Sequence, residues 1–198
     1  MSRARGRPRK FDEDKVIHAA GQVFWQQGFD GTSLDDLAAA MEMNRPSIYR
    51  AFGDKETLYR RALEEFGVNM ERALEAAFSS GNNVAKALET FFLEALGIYT
   101  SGDQPKGCLV MSTAVSAAVS HPDVKADLLK VIKRIDKALE ERFLIAVDQG
   151  QLPAQFDASG RAAIAQSVLH SISIRARAGD KRVTLNRLIK SGVELVIS

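Results

Sequence analysis

A run of six residues at 45–50, RPSIYR, places several hydrogen-bond donors next to a rigid proline ring. Arg45 can donate two hydrogen bonds to one guanine, and the ring of Pro46 can contact a thymine methyl group. Ser47 can donate to a base edge or a phosphate, and Tyr49 can donate to a phosphate oxygen. These residue types together favour contact with double-stranded DNA, provided that one exposed helix face presents them.

The helix that would present them begins and ends at recognisable residues. Asn44 is a good N-cap, Pro46 is tolerated in a first helical turn, and Gly53 is placed to end the helix after Phe52. Ile48 and Phe52 then face inward, at helical spacing. The opposite face is predicted to carry Arg45, Pro46, Ser47, Tyr49 and Arg50.

A second short helix is predicted just before this one. Thr32 and Ser33 are cap candidates, and an aspartate three residues after Ser33 could complete a capping box. Two short helices, joined by a turn near 41–44 and packed on a helix predicted over 12–27, indicate a helix-turn-helix. The hydroxyls and backbone amides of Thr32 and Ser33, and the side chain of Lys55, lie at helix starts or flanks, where phosphate contacts set orientation.

Residues 11–63 resemble the DNA-binding domain of the TetR/AcrR family of transcriptional regulators. The resemblance is carried by Ala19-Ala20, Phe24, Gly28-Phe29, Gly31-Thr32-Ser33-Leu34, Asp36-Leu37-Ala38, Ser47-Ile48-Tyr49, Phe52-Gly53, Lys55-Glu56 and Leu58-Tyr59. It implies that Lys55 binds phosphate and that the DNA-facing recognition helix contains Arg45, Pro46, Ser47 and Tyr49. Glu42 departs from the family, which usually has glycine in the turn. The alternative is an ordinary three-helix core with a charged outer face.

The first ten residues contain basic residues and no acidic residue. Within them, the segment RGRPRK at 5–10 resembles an AT-hook, whose extended arginines lie in the narrow minor groove of A·T-rich DNA. This resemblance implies DNA contacts by Arg5, Arg7 and Arg9. A disordered, solubilising tail is the alternative.

The rest of the chain has helical periodicity interrupted by glycine and proline. Helices are predicted over 54–78, 83–100, 107–120, 122–149, 157–178 and 181–197. The predicted fold is all-α, with an N-terminal three-helix DNA-binding domain joined by a long helix to a C-terminal helical regulatory and dimerisation domain. Its predicted parts are a basic DNA-binding arm at 1–10, the helix-turn-helix domain at 11–56, and a ligand-sensing and dimerisation domain at 57–198.

The TetR/AcrR resemblance implies a homodimer formed through the last two main helices, about 157–197. The apolar residues expected on these helices are Ala165, Val168, Leu169, Ile172, Leu185, Leu188, Ile189, Val193 and Val196. Burial within one subunit is the alternative for them. A two-fold dimer would set two recognition helices roughly 34 to 36 Å apart, in successive major grooves, and would read a palindromic operator.

Large apolar side chains of the second half could line an effector cavity between helices, as in family members that release DNA on binding a small molecule. The candidates are Phe66, Met70, Phe91, Phe92, Tyr99, Met111, Val115 and Phe143. Ordinary core packing is the alternative. No polar group among them names the unknown small-molecule effector.

Cys108 is the only cysteine, which excludes an internal disulfide and cysteine-based zinc frameworks. It follows Pro105-Lys106-Gly107 and is expected at a helix N-terminus, where the helix dipole and Lys106 would favour the thiolate. The Gly107-Cys108-Leu109 run resembles regulators that respond to oxidants or electrophiles, which implies a redox sensor. A small, buried, apolar cysteine is the alternative.

Composition narrows the function classes further. With 45% hydrophobic and 26% charged residues the chain is typical of globular proteins, and it has no apolar run of roughly 18 residues, so a cytoplasmic protein without membrane contact is predicted. The histidines lack partners at ligand spacing, so neither a metal site nor a cofactor is predicted. No nucleophile-base pair or phosphate loop supports an enzyme.

Two functions remain after these exclusions. One is a repressor that a small-molecule or thiol-reactive effector releases from DNA. The other is an architectural DNA-binding protein without an effector switch.

Overall fold

The computed structural model describes residues 11–81, 83–102 and 104–198, and the regular structure within these ranges is entirely helical. Its helices are α1 (Glu13–Gly31), α2 (Leu34–Ala40), α3 (Arg45–Phe52), α4 (Lys55–Ser79), α5 (Val84–Tyr99), α6 (Val115–Ala117), α7 (Pro122–Asp148), α8 (Ala158–Arg177) and α9 (Arg182–Ile197). The predicted all-α fold is confirmed. The predicted arm, with Arg5, Arg7 and Arg9, lies outside the described residues.

One predicted helix, over 107–120, has a different form. The chain around Gly107 is not helical, and a five-residue π-helical turn, Val110–Ala114, precedes the short α6. Gly107 has a φ of 68°, and a Cβ there would lie 3.0 Å from the carbonyl oxygen of Ser173. The sequence pattern alone misses this because α8, far along the chain, imposes the close approach.

The chain divides into two compact units between Ala62 and Leu63. Because this division falls inside α4, that single helix contributes residues to both units. The first unit has an aromatic cluster in its core, in which the ring centroids of Phe24 and Tyr59 lie 4.9 Å apart and those of Phe29 and Tyr59 lie 5.0 Å apart. This cluster packs α1 against the start of α4.

The second unit is built from the rest of α4 and from α5 to α9. Its core includes the fully buried side chains Leu88, Phe91, Phe92, Tyr99, Leu139 and Phe143. Helices α8 and α9 approach each other closely at Gly192, where a Cβ would lie 2.5 Å from Cγ1 of Val168. Among the residues described, no helix is long and apolar enough to cross a bilayer.

Candidate nucleic-acid interface and regulatory cavity

The ends of α2 are held by local hydrogen bonds. The Ser33 side chain accepts from the Asp36 N–H at 3.1 Å, and the Asp36 carboxylate accepts from the Ser33 N–H at 3.0 Å, so the predicted capping box is confirmed. At the other end, Met43 N–H donates to the Ala38 carbonyl at 3.0 Å, which closes a Schellman turn. This turn requires a left-handed residue, and Glu42 occupies that position with a φ of 51°.

The start of α3 is equally well defined. Asn44 is its N-cap, and the Asn44 side chain accepts from the Ser47 N–H at 2.9 Å. Ile48 and Phe52 are buried. The predicted outward residues Arg45, Pro46, Tyr49 and Arg50 are exposed, and Ser47 is half-buried. The structure therefore presents these side chains on one accessible helix, as a major-groove reader requires.

Arg45 is the one outward residue of α3 with a charged partner in the described part of the chain. Its Nε donates to Oδ1 of Asp35 at 2.7 Å, and its Nη2 donates to Oδ2 of the same carboxylate. The hydrogen bond from Arg45, together with its positive charge, lowers the pKa of Asp35, and burial opposes the shift. Asp35 lies in the first turn of α2, and sequence analysis did not single it out.

Two predicted phosphate-contacting residues are engaged inside the protein. The Thr32 side chain is 2% exposed, and its hydroxyl donates to the Gly28 carbonyl at 2.6 Å. The Lys55 ammonium donates to the carbonyl oxygens of Phe29, at 2.9 Å, and Thr32, at 3.1 Å. Both side chains thus secure the end of α1, a use that sequence patterns could not reveal because the partners of Lys55 lie more than twenty residues away.

A cavity of about 30 Å³ lies within the second unit. Its walls come from α4, α5, α7, α8 and the segment before α6, and they comprise Phe66, Met70, Tyr99, Cys108, Val110, Val131, Ile132, Ile135, Gln166, Leu169 and His170. Of the predicted lining residues, Phe66, Met70 and Tyr99 are there. The space is comparable to one or two water molecules and is far smaller than a typical ligand pocket.

The other predicted lining residues lie elsewhere. Phe91, Phe92 and Phe143 are fully buried in the core, which was the alternative considered for them, and Met111 is half-buried outside the cavity wall. Val115 is 47% exposed, so its predicted place in a cavity is wrong. Helical periodicity separates inward from outward faces, but it does not tell which inward residue borders a void.

Polar groups at the cavity come mainly from α8. Gln166 is 4% exposed, and its amide donates to the Ile132 carbonyl at 3.0 Å and to Asp136 at 2.6 Å. Burial lowers the pKa of His170, and the Asp136 charge opposes that shift. Burial in turn raises the pKa of Asp136, against the Gln166 hydrogen bond. The cavity wall is otherwise apolar. Its polar groups are the Gln166 amide, which two hydrogen bonds hold in place, and the His170 imidazole, whose neutral form burial favours.

An ion-pair cluster joins α4 to α7 near the same walls. Nη2 of Arg134 lies 2.6 Å from Glu64, and its Nε lies 3.9 Å from Glu71. Burial would raise the pKa of Glu64, but the hydrogen bond and charge of Arg134 and the nearby Lys130 lower it. Breaking this cluster would leave Arg134, which is 19% exposed, without its charge partners.

Cys108 lies at the predicted helix start, but its environment differs from the expected one. The thiol is 5% exposed, and the Cys108 N–H donates to the Ser173 hydroxyl at 2.7 Å. Burial raises the pKa of Cys108 to about 11, although the backbone amides of Met111 and Val110 and the Tyr99 hydroxyl act in the opposite direction. The predicted thiolate activation is wrong for this conformation, because desolvation outweighs the helix N-terminus.

Most of the apolar residues predicted for a dimer interface are buried within the single subunit. On α8 these are Ala165, Leu169 and Ile172, and on α9 they are Leu185, Ile189, Val193 and Val196. The alternative of burial within one subunit therefore holds for these side chains. Exposed apolar residues on the same two helices are Ile164, Ile174, Val183 and Leu195.

No group of three or more metal-ligating side chains occurs among the residues that the structure covers. An N-terminal helix-turn-helix in front of a helical C-terminal unit defines a DNA-binding transcriptional regulator. Residues 16–62 match the family described as "Bacterial regulatory proteins, tetR family", and residues 84–191 match "Tetracyclin repressor-like, C-terminal domain". The chain belongs to the TetR family, whose members are DNA-binding regulators and not enzymes.

Two named repressors are similar to more than half of the chain. The HTH-type transcriptional repressor ComR of Escherichia coli (strain K12) is 30% identical over 181 residues, which cover 90% of this chain and 86% of ComR. The HTH-type transcriptional repressor BdcR of the same organism is 34% identical over 111 residues, 56% of each chain. A cysteine-substituted TetR family regulator, CifR, solved with 26-base-pair double-stranded operator DNA, is 29% identical with a TM-score of 0.85, covering 95% of this chain and 98% of CifR.

Proposed function

We propose that this protein is a homodimeric repressor that binds a palindromic operator through α3 and is released by a small-molecule effector. The observation that carries the proposal is the outward face of α3, where Arg45, Pro46, Tyr49 and Arg50 are exposed above the buried Ile48 and Phe52. This arrangement leaves donors of the helix unused by the core and accessible to base edges.

The chemistry of the exposed residues divides their roles. Arg45 is the candidate for guanine, Pro46 for a thymine methyl group, and Ser47 for a base or phosphate. Tyr49 and Arg50 have the reach and the donors to contact phosphates. We assign Lys55 first to the end of α1, since two of the three N–H groups of its ammonium are donated there, which leaves one for a phosphate.

The dimer is proposed to form through the outer faces of α8 and α9. Ile164 and Ile174 on α8 and Leu195 on α9 are exposed, with fractional exposures of 36%, 56% and 56%. Apolar side chains left exposed on adjacent helices are typical of a surface that a second copy covers. The inner residues of both helices pack in the core of one subunit. Substituting them would therefore affect dimerisation only indirectly, by destabilising each subunit.

The effector is proposed to bind at the cavity beside Phe66 and Met70. Both residues belong to α4, the same continuous helix that begins directly after the recognition helix and Gly53. A cavity of about 30 Å³ cannot hold a molecule of several non-hydrogen atoms without moving its walls. An effector that binds only the form with the enlarged cavity would shift the protein towards that form. Release from DNA follows if the enlarged form binds the operator less well.

Selection of duplexes from a random pool, followed by binding measurements with Arg45→Ala, tests the DNA-reading role. We expect the wild type to enrich a two-fold-symmetric site, and the variant to lose about 1–3 kcal/mol of discrimination at one guanine in each half-site. Tyr49→Phe is the matched control, because it removes one hydroxyl without changing the base reader. Equal discrimination by wild type and Arg45→Ala would contradict the proposal.

Release from DNA by an effector distinguishes the proposed repressor from an architectural DNA-binding protein. Screening small molecules for release of the selected duplex should identify compounds whose effect disappears when the cavity is filled by Leu169→Phe. A matched change outside the cavity, Val115→Phe, should leave release intact. Insensitivity of binding to every compound would favour an architectural DNA-binding protein.

A further inference from the structure

From the geometry of the Arg45–Asp35 pair we infer that Asp35 is a specificity-determining residue, which holds Arg45 for guanine and disfavours its contact with phosphate. The inference rests on the proposed DNA-reading role of α3. Asp35 belongs to α2 and would act on that role through Arg45. Arg45 is 54% exposed and Asp35 is 71% exposed in their side chains, so a duplex could reach both.

The pair uses one edge of the guanidinium and leaves another open. Asp35 accepts from Nε and Nη2 of Arg45, which together form the side edge of the planar group. A guanidinium has five N–H donors, so the end edge still offers donors on Nη1 and Nη2. Two parallel donors are what the O6 and N7 acceptors of guanine require. Asp35 therefore presents Arg45 in an orientation that suits this base.

The charge of Asp35 adds a second effect. The guanidinium stays charged, but the pair that it forms with the carboxylate has little net charge, so the attraction of the pair to a negatively charged phosphate is weakened at short range. Hydrogen bonds to the neutral acceptors of guanine depend on direction more than on net charge, so they remain. The pair thus favours guanine over the DNA backbone, which is the origin of sequence preference.

Stability does not account for the pair. Ion pairs between exposed side chains contribute little to folding. The capping of α2 is done by Ser33 and Asp36, so Asp35 is not needed to begin that helix. What the pair does determine is the position of an otherwise flexible arginine, which therefore loses less conformational entropy when it binds DNA.

The test compares Asp35→Ala with Asp30→Ala on the full-length protein. Asp30 is an exposed acid at the end of α1, so both variants lose one negative charge from the same unit. The probes are the duplex selected by the wild type, the same duplex with its Arg45-dependent G·C pair changed to A·T, and a random duplex. Circular dichroism and thermal unfolding verify that each variant is folded.

We expect Asp35→Ala to lose at least about fivefold in discrimination between G·C and A·T, which is the low end of what one bidentate contact supplies. Its affinity for the random duplex should be unchanged or higher, and the slope of log affinity against log salt should steepen by up to about 0.9 for each bound subunit, as for one more neutralised phosphate in each half-site. Asp30→Ala should leave both discrimination and slope as in the wild type. Asp35→Asn, which keeps the shape without the charge, should steepen the slope similarly.

Background variants decide whether Asp35 acts through Arg45. In an Arg45→Ala protein, Asp35→Ala should change discrimination no further. Full discrimination retained by Asp35→Ala, or tighter binding with the same discrimination, would overturn the inference while leaving the DNA-reading role intact. Enrichment of no duplex by the wild type would overturn the DNA-reading role itself.

Discussion

The two units of this protein use their chemically active side chains in opposite ways. In the first unit Arg45, Tyr49 and Arg50 are exposed on α3, above a core that does not need them. In the second unit Cys108 and Tyr99 are buried, and both belong to the cavity wall and to the core at once. The exposed side chains of α3 can therefore be changed with little effect on stability, whereas a ligand at the cavity would contact residues that also form the core of the second unit.

This difference sets what each unit must do to act. The recognition face can meet a duplex without rearrangement of its helix, because its donors already lie outside. The cavity of about 30 Å³ must enlarge before a ligand enters, and Cys108 must be uncovered before it reacts. A ligand that entered this cavity would therefore compete with packing, and its binding would be coupled to a change of shape.

The largest expected difference between the units is in stability. Phe143→Ala removes a side chain that is fully buried in the second unit and should lower the free energy of unfolding by about 3–5 kcal/mol. Tyr49→Ala removes an aromatic side chain that is 49% exposed, and should change stability by less than about 0.5 kcal/mol while weakening DNA binding. Urea unfolding of both variants measures this, and similar losses would contradict the contrast.

A smaller effect is expected in the chemistry of Cys108. Because burial raises its pKa to about 11, the thiol is protonated across the neutral range, and alkylation by iodoacetamide should accelerate with pH up to about 11. Relative to a thiol of ordinary pKa, the thiolate fraction near pH 8 should be lower by roughly a hundredfold. The control is the same protein unfolded in urea, where reaction should be fast. Equally rapid labelling of folded protein at pH 7 would show that the second unit exposes its thiol.

The smallest effect is expected at the turn between α2 and α3. Glu42 has a φ of 51°, a conformation that costs a residue with a Cβ more than it costs glycine. Glu42→Gly should therefore stabilise the protein by about 1 kcal/mol, as measured by thermal unfolding, with DNA discrimination unchanged. Glu42→Ala keeps the strain and should give no such gain. A loss of stability in the glycine variant would mean that the Glu42 side chain, and not its backbone, matters here.

Sequence patterns were most informative where structure is local. The N-caps Ser33 and Asn44 are both confirmed, because a cap and its partner lie three residues apart. The family match over 16–62 likewise depends on residue types at fixed spacings within a short stretch of the chain. The same patterns indicated a recognition helix whose outward residues are exposed.

Sequence patterns were least informative where distant residues meet. Lys55 donates to carbonyls near the end of α1, Arg45 pairs with a residue of α2, and the Cys108 N–H donates to Ser173 of α8. In each case the sequence shows the residue but not the partner that it meets in the fold. The partner decides whether a donor is available to DNA or a thiol is reactive.

The sequence by itself determined the helices apart from the one expected over 107–120, their order, the helix-turn-helix and the family, because hydrophobic periodicity, caps and turn residues act over a few positions. Only the tertiary structure decided which inward residues border the cavity and which face of α8 and α9 stays exposed. It also decided whether the helix N-terminus or burial governs the pKa of Cys108. These outcomes depend on desolvation and on contacts between residues far apart in the chain, which no local pattern contains.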